Sequence, residues 1–300
     1  MNDLRNPPRP ATEVESGDSP TSESSIADAR RRAQVRRRVS VYLSRTAVVV
    51  IVVGGWELFV RLKIVDPFFW GQPSGIYSQI RDWVEHGTAQ GSLWLQIEVT
   101  LEEAILGFVI GVIAGVVTGI ALGRIRFLAD VFGPFIKIMN SIPRIVLGAL
   151  FIVAFGLGLE SKVILAVVLV FFAVFFNAFQ GTREVDRNLT ANARILGASR
   201  WQVTTQVVLP SAFTWILASL HVSFGFALIG AIVGEFLGAD KGLGLLIRMS
   251  QNTFNPNGVL GAMFIMALVA LGAEALITML ERRLLRWRPP QLAGPEAAGL

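Results

Sequence analysis

The sequence predicts an all-α polytopic membrane protein with six transmembrane helices. Three observations carry that reading. Hydrophobic residues make up 53% of the chain and charged residues only 16%, where a soluble domain carries about a quarter charged residues. Six apolar segments each approach the ~20 residues that a helix needs to span hydrocarbon. Arginines fall very unevenly on the segments between them.

Residues 1–29 are rich in Pro, Ser, Thr, Asp and Glu and hold almost no large apolar side chain. They cannot bury enough surface to fold alone, so a disordered tail is expected, reaching to residue 45. It is no signal peptide, because its apolar run starts only near Thr46 and no small-residue cleavage site follows. Arg30–Arg32 and Arg36–Arg38 read as a topology anchor, with contact to anionic lipid or a partner as the other reading. The expected spans are 46–62, 101–122, 136–158, 162–181, 211–235 and 258–280. The third contains Asn140, Ser141, Pro143 and Arg144, so a break at Pro143 is expected. Between the first two spans, Pro67, Trp70, Pro73, Trp83 and Trp94 suit a membrane-interface belt. A short surface helix over 74–86, capped by Ser74, is expected there. Residues 289–300 form a C-terminal tail.

With the N-terminus inside, the inner flanks carry Arg30–Arg32, Arg36–Arg38, Arg45, Arg124, Arg126, Arg183, Arg187, Arg194, Arg200, Arg282, Arg283, Arg286 and Arg288. The outer segments carry only Arg61, Lys63, Arg81, Lys162, Lys241 and Arg248. Cytoplasmic loops hold the excess of positive charge. Both termini and the loop 182–209 are therefore expected in the cytoplasm.

Several chemistries are excluded. No cysteine is present, and the two histidines, His86 and His221, lie far apart. Disulfides and a His-based metal site are thus not expected. No G-x-x-x-x-G-K-[ST], H-E-x-x-H or nucleophile elbow occurs. The chain is read as no enzyme, with no cofactor of its own. The net charge of +5 is a topology signal, so nucleic acid is not an expected partner.

Gly107, Gly111, Gly115, Gly119 and Gly123 recur every fourth residue and share one helix face. They make a groove into which another helix backbone can pack. Ser141, Pro143, Arg144, Asn177, His221 and Glu235 are candidates for a translocation pathway, since polar groups in a bilayer are costly and face interiors or water. Glu57 and Glu274 belong with them. Interhelical hydrogen bonding is the alternative for each. Arg144 suits an anionic solute.

The loop 182–209 has the composition of a short helix, a Gly break and a second short helix. Asn188 or Thr190 can cap the first. Ala191, Asn192, Ala193, Arg194, Gly197, Ala198 and Ser199 offer small side chains and a solvated Arg. Trp201, Val203, Val207, Val208 and Leu209 form an apolar set suited to rest on the membrane helices. Pro210 is expected to start the fifth span.

These residues resemble the cytoplasmic-loop motif of bacterial ABC-importer permeases, E-A-A-x-x-x-G, nine residues, then I-x-L-P. Ala193, Gly197, Val207, Leu209 and Pro210 match it, while Ala191 and Asn192 replace the Glu and first Ala. Asn140–Arg144 looks like the S-I-P segment of the nitrate, sulfonate, taurine or bicarbonate subfamily. Gly234–Gly238 with Gly242–Gly244 is similar to its segment after the fifth helix. The resemblance covers about 46–288. It implies a type I-like permease fold in a bacterial inner membrane, a homodimer, and cytoplasmic ATPase subunits docked on the loop with ATP and Mg bound to them. It also implies an extracytoplasmic substrate-binding protein. The function expected is import of a small anionic solute. An ion-gradient-driven secondary transporter is the alternative, and would need inverted repeats that the sequence does not display.

Overall fold

Proline stands at the first position of α1, Pro20–Arg61, where its missing N–H costs nothing. The computed structural model describes residues 20–284 except Asp186. Among these, only helices and one isolated bridge, Thr88 to Gly91, occur. The chain divides into two units, Met1–Arg61 and Leu62–Leu300. In the first, α1 runs on through residues expected in the disordered tail. Residues 21–45 contain neither Gly nor Pro, so the helix continues N-terminally where burial alone would not demand it. Glu57 pairs with Arg61 one turn on, at 2.8 Å. The expectations for residues 1–19 and 285–300 lie outside the described residues.

The second unit opens with α2, Pro67–Trp70, and α3, Pro73–Glu85. Ser74 is not the cap of α3. Pro73 takes the first helical position and Gln72 precedes it, its side chain donating to Ser74 Oγ at 2.6 Å. Then follow α4, Leu93–Arg124, and α5, Arg126–Ser141. A 3₁₀ turn, Arg144–Val146, leads into α6, Leu147–Phe155. After it come α7, Leu159–Arg183, α8, Arg187–Ile195, and α9, Arg200–Val203. A π-helical turn, Thr204–Val208, joins α9 to α10, Leu209–Leu237, and α11, Leu243–Asn252, and α12, Pro256–Leu284, complete the unit.

Five helices are long and apolar enough to cross a membrane, and α5 with α6 makes a broken sixth, bent by 76°. The bend falls at Ile142–Pro143, where Pro143 is extended and cannot donate into a helix. The broken span begins at Phe127, nine residues before the expected 136. Arg126 to Phe135 already form an amphipathic helix that apolar run length does not register.

α4, α7 and α10 form the core. The five α4 glycines face Ala166, Val170, Val174, Ala178 and Thr182 in order, so α4 and α7 run parallel. α10 runs antiparallel, with Gly230 against Ala166 and Gly181 against Trp215. Ala104, Val170, Val174, Phe224, Ala227, Leu228 and Ala231 fill the space between. At one end, α3, α11 and α12 bury Trp83, Leu93, Leu243, Leu246, Ala262 and Ile265. The other end carries Arg124 and Arg183 and is the basic end.

Candidate functional site

The segment from α8 to the start of α10 holds two short helices around Gly197. Leu196 and Gly197 close the C-terminus of α8 through bonds from their N–H groups to Asn192 O and Arg194 O, both 3.0 Å. Gly197 then turns with φ +86°, in the left-handed region that side chains disfavour, and nothing of this chain lies within 4 Å of where a Cβ would stand. Ser199 caps α9. Its Oγ accepts from Gln202 N at 3.2 Å, and Gln202 Oε1 accepts from Ser199 N at 2.8 Å. This is a reciprocal capping box. Asn188 and Thr190 lie inside α8 and do not start it.

Apolar side chains divide between two faces. Val203 and Val208 are buried, while Ile195, Leu196 and Trp201 are 82%, 87% and 75% exposed. Trp201 therefore does not rest on the bundle as expected. Pro210 stands in the first turn of α10 as expected, although helix also runs on without a break from Trp201 through the π turn. The π turn accommodates it. Leu209 N donates to Thr204 O, five residues back, which loosens the backbone beside a ring that would crowd a regular turn. Arg124 Nη2 donates to Thr204 Oγ1 at 2.7 Å and ties the end of α4 to this turn.

The residues expected along a pathway are not gathered into one place. Among the described residues, no hydrogen bond, ion pair or ring contact joins any two of Ser141, Pro143, Arg144, Asn177, His221 and Glu235, while Glu274 meets His221. Ser141 Oγ donates to Lys137 O. Arg144 reaches Asn140 Oδ1 at 2.9 Å and stacks over Phe172, 4.8 Å from its centroid, midway along α7. Asn177 bonds back to Ala173 O. His221 bridges α10 to α12 through Glu274 and Glu281, at 2.7 and 2.9 Å. Glu235 is fully buried at the end away from Arg183.

Glu235 belongs to a polar cluster whose other members, Gln96, Thr100, Glu103 and Lys162, sequence reasoning missed. The first turn of α11 leaves backbone N–H groups without helical partners. Gly242 N donates to Gln96 Oε1 at 2.7 Å, Leu243 N to Thr100 Oγ1 at 2.9 Å, and Gly244 N to Glu235 Oε2 at 2.6 Å. Thr100 Oγ1 donates in turn to Glu235 Oε1 at 2.6 Å. Side chains from α4 and α10 thus cap α11 from more than a hundred residues away in α4. Gly242, at φ +112°, leaves no room for a Cβ, which would sit 2.1 Å from Glu235 Oε1. Lys162, counted as an external charge, is 1% exposed and donates to Leu157 O and, at 2.9 Å, Gly158 O. Gln96, Thr100 and Glu103 follow one face at spacings of four and three, and that polar stripe in an apolar helix was the available signal.

The sequence matches the family model described as binding-protein-dependent transport system inner membrane component over residues 107–286. It is similar to the riboflavin transport system permease protein RibX of Chloroflexus aurantiacus, 35% identical over 77% of this chain and 85% of that protein. It is also similar to the putative aliphatic sulfonates transport permease protein SsuC of Bacillus subtilis, 28% identical over 87% and 93%. The taurine transport system permease protein TauC of Escherichia coli is 26% identical over 85% and 92%. Among solved structures, an amino acid ABC transporter shares the fold with TM-score 0.52 and 21% identity, covering 63% of this chain and 92% of that one.

Proposed function

The chain belongs to the family of binding-protein-dependent transport system inner membrane components, and from that premise we propose how it works as the permease subunit of an ABC importer. The segment 187–210 is the docking surface for a cytoplasmic ATPase. The observation that carries this is the exposure of Ile195, Leu196 and Trp201 around a left-handed glycine, on a segment tied to α4 by Arg124 and anchored by the buried Val203 and Val208. Apolar side chains in a solvated loop gain by burial in a partner's groove, and the pinned backbone passes force into the bundle. ATP and Mg belong to that partner, which supplies the hydrolysis. The charge asymmetry supports both termini and this segment on the cytoplasmic side of a bacterial inner membrane.

A second copy of the chain completes the pathway, and an extracytoplasmic binding protein delivers solute at the end formed by α3, α11 and α12. The solute is a small anion such as a sulfonate, consistent with Arg144 at the break between α5 and α6. Uptake by reconstituted complex tests both parts. Gly197→Val abolishes ATP-driven uptake without changing membrane insertion. Arg144→Ala raises the uptake KM for an anionic solute. Unchanged uptake in Gly197→Val removes the docking assignment, and unchanged kinetics in Arg144→Ala removes the anion assignment.

A further inference from the structure

At the basic end, α4, α5, α7 and α8 line a cavity of about 870 Å³ that shares only Arg194 with the docking segment. Its size falls within the range of small-molecule sites. Arg124, Lys137, Arg183 and Arg194 line it against a single carboxylate, Asp130. Phe175, Phe176 and Phe179 form one wall, and Arg183 stacks on Phe179 at 5.1 Å. Among the described residues, no salt bridge joins any of the four cations to an acid. A positive cavity with an aromatic wall fits a ligand that is anionic at one end and apolar at the other.

Depth narrows the choice. Arg124 and Arg183 occupy the last turns of two membrane-crossing helices, so these two cations lie at headgroup level whichever way the chain is oriented. Beside the cavity, α5 presents Phe127, Phe135 and Ile138 at 72%, 61% and 62% exposure. Acyl chains can lie along that face while the headgroup enters the cavity. Basic pockets between membrane helices bind anionic lipid headgroups in this manner.

We propose that this cavity is a binding site for the phosphate headgroup of an anionic phospholipid, held by Arg124, Lys137, Arg183 and Arg194. The test uses the purified full chain in detergent, titrated with a fluorescent phosphatidylglycerol and, separately, phosphatidylcholine. Lys137→Gln and Arg183→Gln each weaken phosphatidylglycerol binding about fivefold and together about 30-fold, at about 1 kcal/mol per charge. Phosphatidylcholine binding does not change, and Arg81→Gln, far from the cavity, has no effect. Circular dichroism melting identifies any variant that fails to fold, and either single variant then suffices. Equal phosphatidylglycerol affinity in wild type and the folded variants overturns the proposal. Displacement of the lipid by millimolar inorganic phosphate assigns the cavity to a free anion and overturns it too. Loss of self-association in the variants with lipid affinity unchanged makes the cavity an interface between copies, which also overturns it.

Discussion

Replacing Gly119 with Ala tests whether the α4 glycines hold the bundle together. A Cβ at Gly119 would stand 2.7 Å from Phe175 O, 2.7 Å from Ala178 Cβ and 3.1 Å from Phe179 N. Ordinary contact starts near 3.4 Å, so α4 and α7 must part by about 0.7 Å. Two of the three obstacles are backbone, which cannot rotate away. Overpacking of this kind costs about 1–3 kcal/mol, and parting the helices also weakens contacts at Gly115 and Gly123. Gly225 provides the contrast. It lies inside α10 with nothing within 4 Å, so Gly225→Ala gains up to about 1 kcal/mol of helix propensity. Reversible unfolding in mixed SDS and non-ionic micelles measures both. The two variants shift in opposite directions, by about 1–4 kcal/mol between them. A stabilised Gly119→Ala would refute the argument, since it would mean that the glycines only weaken α4 as an isolated helix.

Glu235→Ala leaves the buried Gly244 N–H without an acceptor, at about 1–3 kcal/mol, while the Thr100 hydroxyl can still donate to Gln96 O at 3.0 Å. Glu235→Gln keeps one side-chain oxygen as an acceptor, and so falls between Ala and wild type in the same unfolding assay. Ser199→Ala removes half of the capping box and costs α9 about 1 kcal/mol, which hydrogen exchange at Gln202 N reads as faster opening.

The apolar runs made the membrane helices legible in the sequence, because a bilayer demands length and apolarity that few other structures supply. Pro143 likewise announced its own break, and the four-residue spacing of glycines announced a close neighbour without saying which. Choosing α7 needed the matching stripe of Ala166, Val170, Val174, Ala178 and Thr182, which looks unremarkable in a run of apolar residues. The end of α11 was illegible for a different reason. Gln96 and Thr100 cap it across 146 and 143 residues of sequence, and local capping rules look only a few residues away. Pro210 did mark the first turn of α10, but the π turn before it carried no sequence signal of its own. In the docking segment, the Gly197 turn was readable from chemistry. The outward face of Trp201 was not, since an apolar side chain at a surface reads equally as core.

The absence of cysteine from the whole chain allows the most direct test of the docking assignment. Leu196→Cys is then the only thiol in this subunit, at a position 87% exposed. In the reconstituted complex, a short thiol-to-amine cross-linker at that thiol should give an adduct with the ATPase subunit, and the ATPase should shield it from a water-soluble maleimide. A thiol that maleimide labels equally with and without the ATPase, and that yields no ATPase adduct, would contradict the account.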